Sequence, residues 1–86
     1  MRSVRRRPRA LVVDDDPDIC ELLAMTLERL DVQTRIAGDL AGAREALTRG
    51  EFDLCFTDLR LPDGNGISLV EWLQGREDHV PVAVIT

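Results

Sequence analysis

Apolar and polar positions in this chain switch repeatedly between two rhythms. The first apolar run, Ala10–Val13, is continuous and ends abruptly on Asp14 and Asp15. An uninterrupted, partly β-branched run of this length predicts a buried strand of a parallel sheet. Asp16 then suits a helix N-cap, Pro17 the first helical position and Asp18 the positive helix end. Behind them Ile19, Leu22, Leu23, Met25, Leu27 and Leu30 recur mostly at i, i+3, i+4, which predicts an amphipathic helix with these residues on its buried face. Val32, Thr34 and Ile36 alternate with Gln33 and Arg35, the pattern of a half-buried strand at a sheet edge. A second helix is predicted from Asp39, with Leu40, Ala43 and Leu47 inward and Gly50 as its stop. "FDLCFTD" repeats the continuous apolar run and ends on Asp58. "GNGISLVEWLQGRE" places Ile67, Val70 and Leu73 on one helical face. "VPVAVIT" reads as a fourth strand, with Pro81 near its start, where a missing N–H matters least.

The resulting order, β-α-β-α-β-α-β, predicts right-handed crossovers and an α/β sheet covered on both faces. Composition agrees with one small domain over residues 10–86: the 86-residue chain is 44% hydrophobic and 31% charged, enough apolar matter for a core. The net charge is −5, but residues 1–9 carry Arg2, Arg5, Arg6, Arg7 and Arg9 and no acid. They read as a basic, disordered leader. The acidic body behind it argues against direct nucleic-acid contact by this segment. No apolar run approaches the roughly 20 residues of a membrane span, and no signal-type stretch follows the arginines, so a cytoplasmic location without membrane contact is expected. Cys20 and Cys55 have no His or Cys at metal spacing and read as packing thiols. His79 reads as a surface-loop residue and Trp72 as a packing residue.

All strands of a parallel sheet end on the same rim, and ligands bind outside it. Asp14 and Asp15 follow the first strand, Asp58 ends the third and Thr86 ends the fourth. If the first and third strands are neighbours, about 4.8 Å apart, three carboxylates converge and repel one another. A divalent cation removes the repulsion, and an all-oxygen, water-open site suits Mg²⁺. A carboxylate in such a site is a candidate phosphoryl acceptor, with Thr86 offering a hydroxyl to the phosphate. Asp16 and Asp18 read as capping residues, Gly64 and Gly66 as turn residues without a ligand role, and the Arg60 side chain as solvated.

"ALVVDDDPDICELL", "FDLCFTDLRLPDGNGISLVEWL" and "PVAVIT" together resemble the receiver domain of two-component response regulators. The wording of "FTDLRLPDGNG" is most similar to receivers of enhancer-binding activators of the nitrogen-regulation and pilus-regulation kind. The resemblance implies a flavodoxin-like, doubly wound parallel sheet of order 2-1-3-4. It implies Asp58 as phosphoacceptor, Asp15 as direct Mg²⁺ ligand, Asp14 acting largely through metal-bound water, the backbone carbonyl of Arg60 completing the metal shell and Thr86 as switch hydroxyl. It further implies a sensor histidine kinase as donor and a transcriptional output domain in a longer chain. Such a module signals and is not a turnover enzyme, slow loss of its own phosphoryl group aside. The family domain continues with a helix, a fifth strand bearing a lysine that pairs with the phosphate, and a final helix. This chain holds no lysine, so the resemblance implies a partial receiver, slow to phosphorylate, that self-associates through uncovered sheet. Two other readings compete. One is a haloacid-dehalogenase-like phosphatase fragment built on Asp14 and Asp16; the other is an interaction decoy with an unreactive Asp58.

Overall fold

The computed structural model describes residues 7–77 and 79–85. In chain order the elements are β1 (Arg9–Val13), α1 (Pro17–Arg29), β2 (Gln33–Ala37), α2 (Leu40–Arg49), β3 (Leu54–Asp58), β4 (Arg60–Leu61), β5 (Gly64–Asn65), α3 (Gly66–Gln74) and β6 (Val82–Ile85). β2, β1, β3 and β6 lie side by side in that order, each neighbouring pair parallel. This is the anticipated 2-1-3-4 arrangement, with β6 as the fourth predicted strand. β4 and β5 were not anticipated. They form a two-residue antiparallel ribbon around Pro62 and Asp63, too short to leave a periodic trace.

β1 is central, and Ala10, Leu11, Val12 and Val13 are each fully buried. Period-two alternation sends Leu11 and Val13 into a core with Leu40, Leu47, Cys55, Leu69 and Leu73, from α2, β3 and α3. Ala10 and Val12 join a smaller core with Cys20 and Leu27 of α1 on the opposite face. β1 begins at Arg9, one residue before the predicted run. Pro8 accepts a hydrogen bond from the Gln33 N–H at 2.8 Å, and the Arg7 Nε pairs with Asp31 at 3.0 Å. The last part of the predicted leader is thus tied to the start of β2, because the sheet ladder extends past the apolar stretch. Residues 1–6 lie outside the described residues.

Two helical faces differ from their predicted phase. In α1 the buried positions are Cys20 and Leu27, with Leu23 packed partly against them; Ile19, Leu22 and Met25 are exposed, and Leu30, just past the helix, is 69% exposed. A helix lying on a sheet covers only the stripe directly beneath it, here 20, 23 and 27, and the apolar residues on its flanks line open grooves. In α3 the inward residues are Gly66, Leu69 and Leu73, while Ile67 is 44% exposed. The Asn65 side chain caps this helix by accepting from the Ile67 N–H at 2.7 Å, which fixes where the helix starts and therefore which face turns inward. α2 follows its predicted face, with Leu40, Ala43 and Leu47 buried, Asp39 as N-cap and Gly50 at its end.

Candidate functional site

The site follows from strand polarity. β1 and β3 are hydrogen-bonded neighbours with Val13 opposite Thr57, so the residues just beyond meet on one rim. Carboxylate oxygens of Asp14, Asp15 and Asp58 lie within 4.8 Å of one another. Asp14 is buried, Asp15 exposed and Asp58 half-buried. The cluster therefore has a fixed floor and an open mouth. Three carboxylates at this distance repel one another, and a cation among them relieves the repulsion. Their donor set is all oxygen and hard, which fits a small divalent cation and no soft metal.

Short bonds hold each half of the cluster. The Asp14 N–H donates to the Ala37 carbonyl at 3.0 Å, extending the β1–β2 ladder one step. The Asp14 carboxylate accepts from the Asp16 N–H at 2.9 Å, and its carbonyl accepts from the Cys20 thiol at 3.2 Å. The Asp58 carboxylate accepts from the Leu59 N–H at 2.7 Å, and the Thr57 hydroxyl donates to the Asp58 carbonyl at 2.9 Å. Beside the acids an apolar groove of about 400 Å³ is lined by Ile19, Leu22, Leu23 and Ile85.

The other sequence candidates fall into place around this cluster. Asp16 spends its carboxylate on the Asp18 N–H at 2.9 Å as the N-cap of α1. It is absent from the carboxylate cluster, which leaves the phosphatase reading without its second acid. Arg60 opens β4 with an exposed side chain. His79 is exposed in a loop, and Trp72 packs against the core with Arg76 stacked over its ring at 4.8 Å. Burial pushes the Cys55 thiol up to about 12. It also raises the Cys20 thiol, and the charges of Asp14, Asp16 and Asp15 add to that effect. Both thiols therefore stay protonated and inert. Thr86, the proposed switch hydroxyl, lies outside the described residues.

Two features of the loop after Asp58 are not evident in the sequence. Gly66 is more than a turn residue: a Cβ there would collide with the Asp58 carbonyl, so the start of α3 can pack on the Asp58 backbone only through a glycine. Asp63, to which the sequence assigns no role, accepts from the Leu40 N–H at 2.8 Å and the Ala41 N–H at 3.0 Å. The P-D-G stretch signals a turn. Nothing in it announces a partner on α2, more than 20 residues earlier.

A doubly wound parallel sheet with an acid cluster on its C-terminal rim defines the class of receiver-like α/β modules. The chain belongs to the response regulator receiver domain family, whose model matches residues 10–86. It is 55% identical over 80 residues to the response regulator protein PilR of Pseudomonas aeruginosa, covering 93% of this chain and 18% of that protein. It is 40% identical over 78 residues to the transcriptional regulatory protein GltR of the same species, covering 88% of this chain and 32% of that one. The chain thus spans a third or less of these two relatives. Among solved structures, the non-phosphorylated HemR receiver domain of Leptospira biflexa superposes with a TM-score of 0.82 at 36% identity, over 91% of this chain and 63% of that one. The chemotaxis response regulator CheY4 of Vibrio cholerae superposes at 0.86, over 91% and 67%. At 21% identity it speaks for the fold alone. The protein is therefore a receiver domain of two-component signalling, with the flavodoxin-like fold that its sequence resemblance implied. No described helix is long and apolar enough to cross a membrane.

Proposed function

We propose that Asp58 is the phosphoacceptor of this receiver and takes a phosphoryl group from a phosphohistidine on a sensor histidine kinase. One observation carries the reading: carboxylate oxygens of Asp14, Asp15 and Asp58 converge within 4.8 Å at the C-terminal rim of the sheet. An oxygen of the Asp58 carboxylate attacks phosphorus in line. The phosphorus–nitrogen bond of the donor breaks, the electron pair leaves with the imidazole, and that nitrogen takes a proton from solvent. The product is an acyl phosphate on Asp58. Asp14, Asp15, Asp58 and the backbone carbonyl of Arg60 would hold Mg²⁺. When bound, the cation supplies positive charge against the phosphoryl oxygens during transfer. The Leu59 N–H, already on the Asp58 carboxylate, keeps the attacking group oriented. Thr86 completes the assignment as the hydroxyl that moves toward the phosphate, and the modified domain changes its affinity for an output domain.

The test is mass spectrometry after incubation with acetyl phosphate and Mg²⁺. The expected result is one added phosphoryl group, lost in Asp58→Ala. Absence of any adduct with acetyl phosphate or with a phosphorylated kinase would leave an interaction module in place of an acceptor.

A further inference from the structure

We propose that Asp63 is a positioning residue for the cation site, locking the acceptor loop onto the turn that anchors Asp14. The inference rests on the reading of Asp58 as acceptor and of Arg60 as a carbonyl ligand.

Asp63 is exposed, yet both of its carboxylate oxygens are committed to backbone amides of another element. An exposed aspartate is otherwise free to stay hydrated. α2 also has its own N-cap: the Asp39 carboxylate accepts from the Gly42 N–H at 2.7 Å. Asp63 takes the two first-turn amides that Asp39 leaves, where the helix dipole also favours an anion. What it adds beyond Asp39 is a cross-link between distant segments.

That link closes a circuit around the site. From Asp58 the chain runs through Arg60 and Pro62 to Asp63, and from there by two hydrogen bonds to Leu40 and Ala41. α2 joins through Asp39 and Gly38 to Ala37, whose carbonyl receives the Asp14 N–H at 3.0 Å. The two halves of the carboxylate cluster are thus tied by the sheet and, separately, by Asp63. The seat is close-fitting. Leu61 is buried, and Gly64 sits at φ 153°, a backbone conformation that favours glycine, with its missing Cβ directed at the end of the Leu40 side chain. Arg60, between Asp58 and Asp63, is anchored on both sides before any cation arrives. Releasing Asp63 leaves the ribbon to be ordered at the moment of binding, which lowers affinity for the cation without altering the acceptor itself.

The experiment is Mg²⁺ titration calorimetry on the 86-residue chain, with urea midpoints as the check on folding. Asp63→Ala is expected to weaken Mg²⁺ binding by about 10-fold, the usual cost of losing an outer support of a metal site, and Asp63→Asn, which keeps one acceptor, by less. Asp39→Ala removes a cap from the same helix without cutting the link, so its affinity stays within about twofold of wild type. In acetyl phosphate labelling, Asp63→Ala shifts the half-saturating Mg²⁺ concentration by the same factor and leaves the rate at saturating Mg²⁺ unchanged. Equal losses in Asp39→Ala and Asp63→Ala would reduce Asp63 to a helix cap and overturn the proposal, as would an unchanged affinity in Asp63→Ala. A wild-type chain that binds no Mg²⁺ would overturn the cation-site reading beneath it as well.

Discussion

At the residue scale, Asp63 and the thiols show how local partners set chemistry. The Leu40 N–H, seconded by the Ala41 N–H, holds the Asp63 carboxyl below its ordinary value against a smaller opposing effect of desolvation. Its folded pKa therefore lies below its unfolded one. The stability gained is complete above the unfolded value, about 3.9, and is lost as pH falls through the folded value. Asn cannot titrate in this range. The difference in urea stability between wild type and Asp63→Asn should therefore hold steady at neutral pH and close on acidification below about pH 4. A difference that ignores pH would mean the charge plays no part. The meeting of Asp58 and Asp15 on one rim was legible from the sequence because the ends of neighbouring parallel strands are legible. The role of Asp63 was not, since its meaning lies in two amides of a helix that the chain leaves long before.

At the element scale, the phase of a helix matters more than its existence. All three helices were evident from periodicity, and so was the edge position of β2. The inward stripe of α3 was read as Ile67, Val70 and Leu73, whereas the structure turns Gly66, Leu69 and Leu73 inward. A nine-residue helix with apolar residues at 67, 69, 70, 72 and 73 admits more than one stripe. The choice is made outside the helix, by the Asn65 cap and by the contact of Gly66 with the Asp58 backbone. The same holds for α1, where Leu22 and Met25 fit the helical period but fall on its flanks. Leu69 is fully buried, so Leu69→Ala should cost about 2–5 kcal/mol in urea denaturation. Ile67→Ala, at a largely exposed position, should cost less than about 1 kcal/mol. Equal losses would restore the stripe read from the sequence.

At the scale of the whole molecule, parallel strands segregate function. The acids gather on the C-terminal rim, while Arg7 and Arg9 lie at the opposite end of β1. The sheet also carries two unlike edges. β2 presents Gln33 and Arg35; β6 presents Val82, Ala83, Val84 and Ile85 without a charge and pairs only with β3 among the described residues. An uncharged open edge invites pairing with a second copy. We expect concentration-dependent self-association in sedimentation velocity, suppressed by Val84→Lys at the exposed centre of β6; a monomer at all concentrations would contradict this. The central claim is narrower: acids from two strands form one cation site around a nucleophilic oxygen. Mg²⁺ calorimetry on wild type, Asp15→Asn and Asp58→Asn tests it most directly. The account predicts one saturable site in wild type, weakened strongly by each substitution. Wild-type affinity retained in both variants, or no heat in any of the three, would show that these carboxylates do not act together.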